Sequence, residues 1–245
     1  MITAFLYASV GFGGGSTYNA LLIIAEIDYQ LIPIIALCCN LIVVSGGVFR
    51  YHRNKLIPWN LALPLVAVSV PFAWLGGYTS ISQFWFSIAL GLSLFLAGFT
   101  MLLRPSEVLK TAEWTKNKSG YFCLSIVSGG LGFLAGLVGI GGGIFFSPLL
   151  HLLKTIPSKN IAAFSSFFIL VNSMSGLIGQ FMKNDNLQQV DQFFEYSWLF
   201  IMVLVGGQIG SHFSIKVFRP EIVRRLTAVL VLYVGVRLVL LAINT

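Results

Sequence analysis

The chain has 245 residues, 57% of them hydrophobic and 9% charged, with a mean hydropathy of +0.88 and a formal net charge of +7. Soluble domains carry about 25% charged residues, so a water-soluble fold is excluded and lipid must cover the surplus apolar surface. The basic excess fits the cytoplasmic loops of a membrane protein, and no basic face interleaved with stacking aromatics marks a nucleic-acid binder.

The first element, residues 1–25, holds Gly11, Phe12, Gly13, Gly14 and Gly15, followed by Ser16. It lacks a basic leader and a cleavage motif and is not read as a signal peptide. Its spacing predicts a helix that enters the membrane, breaks at the glycines and returns as a short second piece over Ser16 to Ala25, with Ser16 as its N-cap. Tyr29 to Phe49 is an uncharged run long enough to span. Leu56 to Leu103 is long enough for two spans, with a turn at Gly76-Gly77-Tyr78-Thr79-Ser80. Pro58 suits the first turn of its helix, and Pro64 and Pro71 are expected to kink it.

Ser119 to Leu153 contains 35 uncharged residues, too many for one span and too few for two. Gly139-Ile140-Gly141-Gly142-Gly143 lies about two-thirds of the way along it, 128 residues after the first glycine block. A second re-entrant hairpin fits this length. Gly129, Gly130, Gly132 and Gly136, ahead of the break, read as close-packing glycines. Three further spans follow, Asn160 to Met182, Tyr196 to Ile215 and about Ile222 to Ile243. Cys38, Cys39 and Cys123 fall within apolar runs, show no metal or disulfide spacing and read as packed thiols.

The charges test this arrangement. All lysines and arginines except Lys183 and Arg237 fall in stretches 50–55, 104–118, 154–159 and 216–225. If neither glycine element crosses the membrane, these four stretches share one face, which the positive-inside rule assigns to the cytoplasm. If both cross, the basic residues divide almost evenly. The reading is therefore an all-α polytopic membrane protein of two inverted repeats, each a glycine-broken re-entrant hairpin plus three spanning helices. The single membrane domain, 1–245, divides into a first repeat over 1–103, a cytoplasmic linker over 104–118 and a second repeat over 119–245. Doubled, interrupted segments of this kind point to a substrate site between repeats.

A glycine break inside hydrocarbon must line a cavity or protein core, and it ends at a helix start whose first N–H groups are unpaired and carry positive dipole. Two such starts near the midplane make an anion site without a fixed cation. The expected substrate-binding residues are Gly11, Gly13, Gly14, Gly15 and Ser16 from the first break, Gly139, Gly141, Gly142 and Gly143 from the second, and Asn40, Ser165 and Ser166 as neutral donors. His212 and Arg237 are candidates for gating or anion contact, the latter because an intramembrane arginine is a functional candidate by default. Arg50, at a helix end, reads as a topology anchor. No carboxylate lies centrally in a span, no nucleotide motif is present, and no nucleophile–base constellation is seen. No cofactor, metal or enzymatic activity is expected; the partners are a small anion and the bilayer.

The paired glycine blocks, the Gly-x-Gly-Gly-Gly-x4-Pro-x-Leu form over 139–150 and the Ala-x-Ser-Ser at 163–166 resemble the TauE/SafE sulfite exporter family. The resemblance implies a cell-membrane exporter of sulfite, sulfoacetate or related organosulfonates. Ala20 stands where the first block would carry proline, and Cys38-Cys39-Asn40 where the family often has a Thr-Ser pair. An anion channel of the same architecture, or a membrane enzyme, remains the alternative.

Overall fold

The computed structural model describes residues 1–10, 13–102, 118–153, 156–183, 196–213 and 220–244. Among them the chain is helical throughout: α1 (Ile2–Val10), α2 (Gly15–Ile24), α3 (Leu31–Arg53), α4 (Trp59–Tyr78), α5 (Gln83–Leu102), α6 (Lys118–Val138), α7 (Gly143–Leu152), α8 (Ser158–Lys183), α9 (Ser197–Phe213) and α10 (Pro220–Asn244). Helices dominate because a backbone in lipid has to bond to itself. Five helices are long and apolar enough to cross a membrane, at Leu31–Arg53, Trp59–Tyr78, Gln83–Thr100, Gly120–Val138 and Lys159–Lys183. The protein is an all-helical, multi-pass membrane protein. α6, expected as half of a hairpin, is long enough to span, whereas the described apolar stretches of α9 and α10 are shorter, at Ser197–Gly210 and Val231–Leu240.

Several local expectations are corrected. α4 continues through Gly76 and Gly77 to Tyr78, so the turn to α5 begins only at Thr79. The glycine pair does not turn the chain because its lack of side chains serves packing. A Cβ on Gly76 would strike the Phe133 carbonyl of α6, and one on Gly77 the Gly176 carbonyl of α8. Pro58 is the N-cap of α4, one residue before the helix, and Pro64 and Pro71 lie inside its continuous length. Gly132 and Gly136 press on the Ser69 and Ala73 carbonyls of α4, and Gly129 meets the Phe72 ring, but Gly130 faces open space. Cys39 is buried and Cys38 half-buried, while Cys123 is exposed on α6 and is not a packed thiol.

The helix pairings come in matched sets. α4 packs on α6 and α8, and α9 packs on α1 and α3. α7 lies on α8 as α2 lies on α3, and α2 meets α10 as α7 meets α5. Two further pairs, α3 with α8 and α5 with α10, join the first five helices to the last five. The glycines follow the same scheme, since a Cβ on Gly206 would strike the Met1 carbonyl ahead of α1 and one on Gly207 would lie 3.3 Å from Val43 Cα on α3. One apolar cluster gathers α1, α2, α3, α5 and α10 around Ile35, Leu90 and Leu94, with Ile140 and Ile144 inserted from the second break. The other gathers α4, α6, α7 and α8 around the ring triplet Phe146, Phe164 and Phe168.

Candidate functional site at the glycine breaks

The two breaks start their second helices in the same way. Gly14 is the N-cap of α2 with φ 88°, and its carbonyl accepts from the Thr17 and Tyr18 amides, both at 3.0 Å. Gly142, with φ 73°, does the same for α7, accepting from Phe145 at 3.2 Å and Phe146 at 3.3 Å. Left-handed backbone of this kind favours glycine. Ser16 is therefore not the N-cap; it sits inside the first turn, fully buried, and its Oγ has no partner in the protein. The amides of Gly15, Ser16 and Ile144 precede the first bonds that close on Gly14 and Gly142, so no carbonyl one turn back receives them.

The breaks also touch. A Cβ on Gly15 would lie 2.9 Å from the Ile140 carbonyl oxygen and 3.0 Å from that of Gly139. Asn40 of α3 and Ile169 of α8 each contact both breaks. Positions for a Cβ on Gly13 and Gly141 lie 2.5 Å from Asn40 Oδ1 and 3.0 Å from Asn40 Nδ2, and 3.2 and 2.9 Å from Ile169 Cγ2. Gly143 fits against Ile169 and the Ser165 carbonyl, and Gly139 against the backbone of Pro33. Asn40 is the tenth of the 23 residues of α3, and Ile169 the twelfth of the 26 of α8. The breaks therefore meet beside the middles of two long apolar helices.

The last carbonyls of α6 lack intrahelical donors, and three carboxamides from three other helices supply them. Gln180 Nε2 donates to Gly136 O at 3.0 Å, Asn19 Nδ2 to Val138 O at 2.6 Å and Asn40 Nδ2 to Gly139 O at 3.3 Å. Each acceptor fixes the orientation of its amide, because a flip would set two oxygens face to face. The Oδ1 atoms of Asn19 and Asn40 and the Oε1 of Gln180 are left buried without a donor, as are Asn172 Oδ1 and the hydroxyls of Ser165 and Ser173. Buried polar atoms are normally paired, and each exception asks for an explanation. Ser173 belongs to the site, since its Oγ lies 3.2 Å from a Cβ position on Gly141. Ser165 and Ser166 part company: Ser165 Oγ has no partner, while Ser166 Oγ bonds back to Ala162 O at 2.9 Å.

Among the remaining expected residues, Gly11 lies outside the described residues, as does the side chain of His212. Arg237 is exposed on α10 and is not brought among the buried groups at the breaks. Asn19 and Gln180 were missed. Each is an uncharged amide within an apolar run, but the carbonyls they satisfy lie 119 and 44 residues away in the chain. Among the described residues no group of three histidines, cysteines or carboxylates can hold a metal.

Broken, glycine-lined helices meeting inside a multi-pass helical bundle define a membrane transporter. Residues 1–238 match the sulfite exporter TauE/SafE family, to which this chain belongs. It is 26% identical to probable membrane transporter protein y4hK of Sinorhizobium fredii, over 97% of this chain and 94% of that one. It is 24% identical to probable membrane transporter protein YunE of Bacillus subtilis, over 94% and 91% of the two chains. A probable membrane transporter protein of Haemophilus influenzae is 25% identical over 93% and 88%. No solved structure matches.

Proposed function

We propose that the chain exports a small sulfur oxyanion, sulfite or an organosulfonate, across the cell membrane by alternating access. The anion binds where the two glycine breaks meet, held by the amides and positive helix ends at Gly13–Ser16, Gly141, Gly142 and Ile144, the Gly143 amide being taken by the Gly141 carbonyl, with the Ser165 and Ser173 hydroxyls and the second Nδ2 hydrogen of Asn40 as donors. The observation that carries this reading is the coincidence of two helix starts with the buried, unpartnered hydroxyls of Ser16 and Ser173, which are free to donate, near the middles of α3 and α8. Helix starts favour anions, and the family's description as a sulfite exporter supports the choice of sulfite.

The halves are read as inverted repeats. Each has a broken helix, α1–α2 or α6–α7, followed by three helices, and the matched pairings support the duplication. Both hairpins are re-entrant, which leaves loops 50–55, 104–118, 154–159 and 216–225 in the cytoplasm. α6, at 21 residues, rises about 31 Å, so it reaches a mid-membrane break only if it tilts or starts outside the hydrocarbon. Contact of Gly141 with Asn40 and Ile169, and the Asn40 bond to the Gly139 carbonyl, support that placement.

Flux of labelled sulfite into proteoliposomes tests the reading. A side chain at Gly141 must adopt φ 80° with its Cβ 2.9 Å from Ile169 Cγ2, whereas a Cβ at Gly130 has nothing within 4 Å. Gly141→Leu is expected to lower saturable flux at least about tenfold, the equivalent of about 1.4 kcal/mol, and Gly130→Leu to leave it unchanged. Equal flux in both overturns the site. Counterflow of unlabelled sulfite separates a carrier from a channel.

A further inference from the structure

A second group asks for an anion. Arg50 lies in the last turn of α3 with His52 and Arg53. Arg53 and Lys55 are exposed, as basic residues at a membrane face should be. Arg50 is not. Its guanidinium turns in between α3 and α9, where one terminal nitrogen, Nη1, is buried with no partner. The other, Nη2, reaches only Gln208 Oε1, at 3.4 Å. A Cβ on Gly46, one turn earlier on α3, would lie 2.7 Å from Gln208 Oε1. Glycine there makes the space that seats Gln208 beside the guanidinium.

A guanidinium carries a permanent positive charge, and burying a charge without a counter-ion costs several kcal/mol. A neutral carboxamide does not neutralise it. Glu26 and Asp28 precede the other end of α3 and are too far away, since Leu31 and Arg50 alone are 19 residues apart, about 28 Å of helix rise. The ten residues from Asn40 to Arg50 put the guanidinium about 15 Å along α3 from the breaks. A planar fork of donors suits an oxyanion.

We propose that Arg50 and Gln208 form a second binding site for a small oxyanion, separate from the glycine breaks, at which the anion loads before passing to them. The passage rests on the transport reading; the binding does not. The arginine faces the loop 50–55 end of α3, so only one end of the path carries this site.

The test is equilibrium dialysis of labelled sulfite against the purified chain in neutral detergent. Wild type is expected to bind two anions. Gln208→Glu supplies a carboxylate beside the guanidinium, at nearly the volume of glutamine, and is expected to bind one. Arg50→Gln is expected to bind one, and Arg50→Lys two, with about tenfold weaker affinity at the second. Two anions bound to both Gln208→Glu and Arg50→Gln overturn the proposal, as does occupancy of the arginine by added phosphatidylglycerol but not by sulfite. The outcomes also separate the two readings. Loss of a site in Gly141→Leu but in neither of these variants sinks the arginine site alone. Loss in both of these variants but not in Gly141→Leu sinks the glycine site alone.

Discussion

The seam between α4 and α8 and the seam between α9 and α3 are both pairings of a helix from the first five with one from the last five, yet they are built differently. In the first, Gly77 and Gly179 bring the helices so close that a Cβ on either would strike a carbonyl of the other helix. Ser175 Oγ then donates to Val70 O at 2.7 Å. In the second, Gly207 leaves 3.3 Å to Val43, and the partly buried contact is Arg50 with Gln208. One seam is neutral, tight and hydrogen-bonded; the other is looser and holds a charge with no counter-ion among the described residues. Membrane helices associate through close packing and hydrogen bonds, so the α4–α8 seam is the one expected to hold still. The α9–α3 seam is the one expected to shift.

The largest expected effect breaks the tight seam. Gly77→Leu drives its side chain into the α8 backbone, where overpacking costs about 3 kcal/mol or more, and folded protein should be lost in a detergent melting assay. Ser175→Ala removes one interhelical bond and is expected to cost about 1 kcal/mol, seen as a lowered midpoint in the same assay with sulfite binding intact. The smallest effect is expected in the loose seam. Gly207→Ala squeezes Val43 slightly but gains up to about 1 kcal/mol of helix propensity, so the midpoint should barely move. A collapse in Gly207→Ala as deep as in Gly77→Leu would erase the difference between the seams.

The helices were legible because lipid demands long apolar runs, and residues 31–53, 59–78 and 158–183 all lie where those runs predict. The breaks were legible as well, since Gly14 and Gly142 mark the same helix start 128 residues apart. What failed was the reading of glycine by type alone. Gly76-Gly77 looks like a turn and is a packing surface, because the partner that uses its smoothness, Phe133 or Gly176, is remote in sequence. The α6 caps were hidden for the same reason, with Asn19 lying 119 residues from the carbonyl it satisfies. Arg50 was read by position as an anchor, and only its burial against α9 shows that it turns inward.

The account depends most on the second broken helix, α6–α7, turning back so that it does not cross the membrane. Lys55 and Lys159 are both exposed, one after α3 and one at the start of α8. Single cysteines at these positions, in a background with Cys38, Cys39 and Cys123 changed to alanine, can be probed with a membrane-impermeant maleimide. Both should be protected in intact cells and both labelled in inside-out vesicles. Labelling of the two from opposite faces would contradict the mirrored arrangement and the meeting of the breaks at mid-membrane.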